Sequence, residues 1–284
     1  MSMIEQITQR IKEQPLPSLV AFEILKTIED EDHSMKTVVR LVENDASLTS
    51  EVLKMANSAA YYRGQPVTTV SRAVLLMGEM MVVGVAICIS TSIVYQKPLD
   101  GYDSPEGELW DHSLRSAIAS RELAKFTKGK VNPGLSFTAG LLHDIGKSVI
   151  SEFLVGSTEE MTDLCTGKEA ADYIEAERRA VGTDHCEVGY SLAQRWGLPE
   201  MLCMAIRDHH HPAKTENEYK ALVYTVHLGD IVSMLGGGGT GSDSLAYTVD
   251  SEYEKYLNIQ QDQLSEILLK VGEDFAELKE TLRL

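Results

Sequence analysis

The stretch Gly140-Leu141-Leu142-His143-Asp144-Ile145-Gly146-Lys147 places an adjacent histidine and aspartate in an apolar helical segment. Leucine and isoleucine flank the pair, so we expect the segment to be buried. A buried carboxylate is costly unless a cation or hydrogen-bond donors lie beside it. The stretch therefore predicts a buried polar centre in a helical protein, with partners for Asp144 supplied from elsewhere in the chain.

The composition is that of a globular protein with an acidic surface. The 284 residues are 43% hydrophobic and 24% charged, and the formal net charge is −17. This charge argues against a general electrostatic grip on nucleic acid or on an anionic membrane. The most apolar stretch, Met80–Tyr95, is shorter than the roughly 20 residues that span a bilayer, and the N-terminus lacks a secretory apolar region. We expect a cytoplasmic protein that binds neither nucleic acid nor membrane.

The cysteines are widely spaced and include no Cys-x-x-Cys pair, the spacing typical of thiolate zinc sites. They are Cys88, Cys165, Cys186 and Cys203. We therefore expect reduced thiols in the core rather than disulfides or a thiolate metal site.

Nearly every segment of the chain has the apolar periodicity of a helix, and no strand pair with a convincing two-residue hairpin turn occurs. Residues 98–107 carry two prolines and two glycines and form the best junction between two parts. The sequence predicts an all-α, two-part helical bundle, with one part over residues 1–100 and the other over residues 105–284.

Three segments of the second part carry specific expectations. Phe137–Phe153 is expected to form one helix that contains the His-Asp pair. Glu169–Val181 is polar and is expected to form an exposed helix. Gly236–Gly239 follows a buried helix and, from its composition, is expected to be a mobile loop.

Further ligand-type residues stand before and after the pair, in the order His112, His185, His209, His210 and Asp230. Imidazole and carboxylate groups suit a hard or borderline divalent ion. Lys147 lies one turn beyond the pair, where its ammonium could hold an anionic substrate oxygen. Glu108 and His112 are spaced i,i+4 and would share a helix face, although Glu108 also suits a surface or capping role.

Single members of this series have ordinary structural explanations. His112 could be a hydrogen-bonded helix histidine, and His209–His211 could cap the C-terminus of a helix. Asp230 could form a buried ion pair with Arg115 or Lys147. The whole series is more specific for a metal site than any single member, because His112, the His-Asp pair and Asp230 together make the ligand set of a mononuclear site.

The order His112, His143-Asp144 and Asp230 resembles the defining pattern of the HD superfamily of metal-dependent phosphohydrolases. The surrounding sequence resembles HDOD domains, the HD-related output domains of bacterial signalling proteins, over roughly residues 15–212. The runs that carry this resemblance are Asp45–Thr49, Val52–Ala59, Ala73–Gly78, Leu109–His112, Ala139–Lys147, His185–Gly189, Trp196–Pro199 and His209–Pro212.

The resemblance implies that residues 1–100 are the N-terminal helical half of an HDOD domain. Residues 105–284 would then be an HD-like half with the metal site and the C-terminal helices. It implies catalytic roles for Asp144 and Lys147 and a divalent metal such as Fe, Mn or Mg. The implied metal ligands are His112, His143, Asp144, His185, His209, His210 and Asp230, with Glu108 at the place of an extra carboxylate in the related HD-GYP phosphodiesterases. The Gly-Tyr-Pro signature of those enzymes is absent after His210, which argues against cyclic di-GMP hydrolysis.

The resemblance leaves two functions open. The first is a regulatory output module whose partner is a signalling protein or a small nucleotide ligand. On that hypothesis Asn57 and Ser58 could belong to a partner surface, or they could simply hydrogen-bond a neighbouring helix end. The second is an active phosphohydrolase, in which the ions lower the pKa of a bound water and Lys147 stabilises the phosphoryl oxygens. Either function is compatible with an oligomer.

Overall fold

The computed structural model of the protein describes residues 1–15, 19–28, 30, 32–62, 64–244 and 246–282. Within these ranges the chain is helical and its one β-type pairing is an isolated bridge between Leu99 and Ser104, so the predicted all-α class is confirmed. The α-helices are α1 (Met3–Glu13), α2 (Leu19–Ile28), α3 (Met35–Glu43), α4 (Ala46–Asn57), α5 (Val70–Met77), α6 (Glu79–Tyr95), α7 (Glu108–Ala124), α8 (Pro133–Leu142), α9 (Lys147–Leu154), α10 (Thr158–Thr166), α11 (Tyr173–Val181), α12 (His185–Arg195), α13 (Glu200–Asp208), α14 (Lys220–Leu235) and α15 (Gln261–Leu282). Short 3₁₀ turns lie at Asp100–Tyr102, Pro212–Lys214 and Ser251–Lys255.

Aspartates set the start of several helices. The side chain of Asp45 accepts a hydrogen bond from the backbone N–H of Leu48, which caps α4. Asp184 caps α12 in the same way by accepting from the N–H of Glu187. Since the cap fixes where the helix begins, Asp184 also fixes His185 as the first residue of α12.

One hydrophobic cluster extends through both predicted parts of the chain. Helices α7, α8 and α14 pack on one another in the second part, and α6 of the first part packs on α8. The C-terminal helix α15 returns to contact α4 as well as α7. The two parts therefore share a core, and the division at residues 100–105 stays a prediction.

Among the described residues, no single helix has both the length and the hydropathy to cross a membrane. Val70–Met77 and Glu79–Ser92 meet both criteria when taken together, but the chain bends by 108° between them.

The expected single helix over residues 137–153 was wrong, because the chain turns at His143–Gly146 between α8 and α9. A Cβ atom on Gly146 would lie 1.9 Å from the backbone oxygen of His185 and 2.6 Å from the backbone nitrogen of Gly189. Only a glycine allows this turn to pack directly on the backbone of α12. The turn therefore brings the His-Asp pair to the start of α12.

The helix expected over residues 169–181 was predicted to be exposed, and this prediction was also wrong. Helix α11 begins at Tyr173, and it buries the side chains of Tyr173, Glu177 and Val181. Glu177 is fully buried although it is a carboxylate, which requires partners that its own helix does not supply.

Candidate metal centre

Seven of the eight predicted ligands lie together where five parts of the chain meet. They are His112 of α7, His143 and Asp144 of the α8–α9 turn, His185 at the start of α12, His209 and His210 at the end of α13, and Asp230 of α14. Each of these side chains is at most 3% exposed. The sequence therefore predicted a spatial cluster from residues up to 118 positions apart in the chain (230 − 112).

The first side of the cluster is formed by His112, His143, Asp144 and Asp230. The Nε2 atom of His112 lies 3.1 Å from Nε2 of His143 and 3.1 Å from Oδ1 of Asp230. It also lies 3.4 Å from Oδ2 of Asp144. These are the residues of the four-ligand pattern that was expected.

The second side is formed by His185, His209 and His210. The Nε2 atoms of His185 and His209 lie 3.4 and 3.5 Å from Oδ1 of Asp144. The Nδ1 atom of His210 lies 3.8 Å from Oδ2 of Asp230. Asp144 thus presents one oxygen to each side of the cluster, which is the placement that a bridging carboxylate requires.

Several atoms that face the middle of the cluster are buried without a hydrogen bond. They are Oδ1 of Asp144, Nε2 of His185, both ring nitrogens of His210 and Oδ2 of Asp230. Buried polar atoms nearly always have partners, and separations of 3.4–3.8 Å between these nitrogens and oxygens exceed a hydrogen bond. Imidazole nitrogens and carboxylate oxygens converging in this way fit a divalent metal ion.

The outer nitrogen of four of the imidazoles is held by an oxygen, which places its proton on Nδ1 and leaves Nε2 to face the centre. The partners of Nδ1 are the backbone oxygens of Gly238 for His112 (2.5 Å), Gly140 for His143 (2.7 Å) and Ile206 for His209 (2.9 Å), and the Glu177 carboxylate for His185 (2.9 Å).

Glu177 is a buried partner of the cluster that the sequence did not indicate. Its carboxylate lies 2.9 Å from Nδ1 of His185, accepts from the backbone N–H of His185 at 2.7 Å, and accepts from the hydroxyl of Tyr102 at 2.7 Å. A carboxylate behind a histidine orients the ring and makes it a stronger ligand. The polar surroundings of Glu177 in the sequence concealed this role.

The charges of the centre stabilise one another. Burial alone lowers the pKa of His112, but the Asp144 and Asp230 carboxylates beside its Nε2 atom raise that pKa to about 10. Burial likewise disfavours the charged forms of Asp144 and Asp230, yet the neighbouring cations and histidines hold the pKa of both carboxyls well below its usual range. Burial lowers the pKa of His143 and of His210, which favours the neutral ring that a metal ligand requires.

Lys147 adjoins the centre, but its ammonium is already paired with side chains of the protein. Its Nζ atom donates to Oδ2 of Asp243 at 2.5 Å and to Oγ1 of Thr240 at 2.9 Å. It also lies 2.8 Å from Oδ2 of Asp144, and the side chain is 2% exposed. Asp243 and Thr240 were not predicted, and no motif in the sequence marks them.

The glycine-rich segment after α14 covers the centre instead of projecting away from it. We call residues 236–244, with Tyr247, the closing loop. Besides the contacts of Lys147 and the Gly238 oxygen already described, the ring of Tyr247 stacks on His210 with centroids 3.6 Å apart. Gly241 has a φ of +99°, and a Cβ there would lie 2.1 Å from the backbone oxygen of Tyr102. Gly238 and Gly241 are therefore packed closely, whereas Gly236 and Gly237 are exposed, and the mobility expected of residues 236–239 stays a prediction.

Glu108 is the predicted ligand that the structure does not bring to the cluster. Its Oε2 accepts a hydrogen bond from Oγ of Ser104 at 3.1 Å. It lines a separate surface cavity beside Asp111 and Arg115. This placement matches the capping or surface role that was its alternative explanation.

A cavity of about 370 Å³ adjoins the outer side of the centre, with His210 in its lining. Basic residues line it, among them Arg178, Arg207 and Lys214. Two of these are already paired, since Nε of Arg178 lies 2.6 Å from Asp184 and the guanidinium of Arg207 donates twice to Asp208 at 2.8 Å.

Over the described residues the fold is all-helical, and its buried histidines and aspartates form one cluster. The sequence model of the HDOD domain matches residues 15–212, and the chain belongs to the HDOD family. An uncharacterized protein of Treponema pallidum (strain Nichols) is 29% identical over 262 residues, which are 90% of this chain and 48% of that protein. The chain thus spans about half the length of this curated relative.

Solved structures share the whole fold. An HDOD domain protein of unknown function from Geobacter sulfurreducens has a TM-score of 0.73 at 24% identity, with 98% of this chain and 99% of that chain covered. A candidate signal transduction protein from Marinobacter aquaeolei VT8 has a TM-score of 0.71 at 21% identity, with 99% of this chain and 65% of that chain covered. At these identities the likeness establishes the fold alone.

Proposed function

We propose that this protein is a regulatory HDOD module of a bacterial signalling system and that its HD-like part holds a divalent metal such as Fe, Mn or Mg. One observation carries the proposal: the centre has seven converging candidate ligands, yet each of their side chains is at most 3% exposed. An enzyme must admit its substrate to the metal, whereas a structural or sensing metal needs only its ligands. The closed geometry therefore favours regulation over hydrolysis.

The surroundings of Lys147 support the same conclusion. Stabilising a phosphoryl group requires a cation that is free to face the substrate oxygens. The Nζ of Lys147 is instead surrounded by Asp144, Asp243 and Thr240. A bound divalent ion would supply positive charge between Asp144 and Asp230 and would tie together the helices that carry the ligands. A signalling protein or a small nucleotide that binds this module could then respond to that arrangement.

The metal content of the purified protein and its activity test this proposal together. Anaerobically purified wild-type protein should contain a divalent metal by elemental analysis. Asp144→Asn should lose most of it, and Asp163→Asn, a change in an α10 carboxylate outside the cluster, should retain it. The loaded wild-type protein should not turn over a panel of phosphodiesters and nucleotides. Absence of metal, or turnover that disappears in Asp144→Asn, would overturn the proposal.

A phosphohydrolase is the second candidate, and the cavity beside His210 is the observation that favours it. Its basic residues could hold an anionic substrate next to the centre. On this hypothesis, turnover should require both the metal and the cavity, so Arg207→Ala and Asp144→Asn should each reduce it. Turnover by the loaded protein that neither change affects would exclude this cavity as the substrate site.

A further inference from the structure

We infer that Cys186 supplies a thiolate ligand to the ion that His185, His209 and His210 would hold. This inference rests on the proposed metal centre and adds a donor that neither the HD pattern nor the spacing of the cysteines indicated. It also names the class of metal that the second side of the cluster would select.

The position of Cys186 carries the inference. It directly follows His185 in the first turn of α12, and it is 4% exposed. Its Sγ atom lies 3.8 Å from Nδ1 of His209 and 4.0 Å from Nε2, the nitrogen that faces Asp144. Ligand atoms of His185, Cys186, His209 and His210 all lie within 4.8 Å of one another.

A second observation points to a ligand at the same place. Nε2 of His185 and both ring nitrogens of His210 are buried without a hydrogen bond. The side chains of these residues are only 0% and 3% exposed. Three imidazoles and one sulfur are a donor set that tetrahedral metal sites use.

Cys203 shows what an ordinary core thiol looks like in this protein. It lies on the neighbouring helix α13, is 1% exposed, and its Sγ donates to the backbone oxygen of Leu198 at 3.4 Å. It belongs to none of the potential metal-binding groups among the described residues. The expectation of a core thiol therefore suits Cys203, while Cys186 has the same burial and different neighbours.

The sulfur determines which ions suit this side of the centre. Thiolate together with imidazole favours Zn²⁺, Fe²⁺ or Co²⁺, whereas Mg²⁺ prefers oxygen ligands. Because the thiolate is the ligand, binding releases the thiol proton to the solvent. The second side of the cluster should accordingly bind Co²⁺ well and Mg²⁺ poorly.

Cobalt absorption spectroscopy tests the inference. The wild-type protein titrated with Co²⁺ should develop a thiolate-to-cobalt charge-transfer band in the near ultraviolet besides the weak visible bands of the ion. Cys186→Ser should lose the charge-transfer band. Cys203→Ser, the matched change of a buried thiol, should retain it.

The outcomes separate this inference from the proposal beneath it. If the wild-type protein binds no cobalt, the metal centre itself fails. If it binds cobalt without the charge-transfer band, or if Cys186→Ser retains the band, only the role of Cys186 fails. X-ray absorption of the zinc-loaded wild-type protein needs no variant, and it should detect a sulfur neighbour at about 2.3 Å; nitrogen and oxygen neighbours alone would overturn the inference.

Discussion

Asn57 in the N-terminal part and Asp230 in the metal centre are both conspicuous polar residues, but only Asn57 finds all its partners within the chain. Its Nδ2 donates to the backbone oxygens of Leu53 at 2.7 Å and Val67 at 2.8 Å, and its Oδ1 accepts from the N–H of Val67 at 2.8 Å. Asp230 has a buried Oδ2 without a hydrogen bond. The protein thus completes the loop before α5 by itself, whereas the centre keeps buried polar atoms that a bound ion would contact.

The same hydrogen bonds also show the structural role of Asn57. Its hydrogen bonds join the end of α4 to the segment that leads into α5, and Oγ of Ser58 donates to the backbone oxygen of Met55 at 2.8 Å. Both side chains therefore hold the end of their own helix α4, whereas the structural explanation from the sequence had placed their partner on a neighbouring helix end. A partner surface at this place would have to use other atoms.

The largest expected effect concerns the closing loop, where the chain supplies its own counter-charge. Asp243→Ala should lower the free energy of unfolding by about 3 kcal/mol, because breaking a buried ion pair leaves the Lys147 ammonium poorly compensated. Urea unfolding of the metal-saturated protein measures this change. Tyr247→Phe is the control, since it removes only the 3.1 Å hydrogen bond to Asp243 and should cost about 1 kcal/mol. Equal effects of the two changes would contradict the role given to Asp243.

Removal of the metal should have the next largest effect. At free metal concentrations 100-fold above Kd, binding stabilises the folded protein by about 2.7 kcal/mol. For a chain of this size, chelation should therefore lower the Tm on the order of 5 °C. Calorimetry with and without chelator measures the shift. Asp230→Asn should have the same Tm in both conditions. A wild-type Tm that is insensitive to chelation would contradict the proposal that the centre, unlike Asn57, needs a bound ion to complete its contacts.

A smaller effect is expected at Glu177, whose carboxylate hydrogen-bonds the outer nitrogen of His185. Glu177→Gln should weaken metal binding by about 10–100-fold, because the carboxylate that orients His185 becomes a neutral amide. Competition with a chromogenic chelator measures the affinity. Glu175→Gln changes a carboxylate of the same helix that pairs with Arg179 on the surface, and it should leave the affinity unchanged. An unaltered affinity in Glu177→Gln would show that His185 does not depend on this partner.

The smallest effect is expected at Asn57. Asn57→Ala should lower the free energy of unfolding by about 1 kcal/mol through its lost hydrogen bonds and should leave the metal affinity unchanged. Chemical unfolding and the same chelator competition measure the two quantities. Asn44→Ala, at the exposed end of α3, is the matched control for stability. A loss of metal affinity in Asn57→Ala would mean that the loop before α5 and the centre are coupled.

The sequence predicted the parts of the centre whose residue types are unusual in their local setting. His143, Asp144 and Asp230 stand among apolar neighbours, and a buried helix rarely contains such residues without a reason. The helical class followed from periodicity, which is a local property. Both predictions needed no knowledge of how the helices are arranged.

The parts that escaped prediction depend on tertiary contacts between ordinary-looking segments. Glu177 lies in a polar stretch and is buried only because Tyr102 and His185 reach it from other elements. Asp243 follows a run of glycines, and its role appears only when the closing loop reaches Lys147. Glycine and surface-type residues carry no periodic signal, so nothing local distinguished these positions.

The close packing of Gly146 on α12 has a consequence for how information can enter the centre. With no side chain between them, the turn that carries His143 and Asp144 packs backbone to backbone on the start of α12. A displacement of α12 by a molecule bound on its outer side would be transmitted to the turn without being absorbed by rotamer changes. The distances between the candidate metal ligands would then depend on the position of α12.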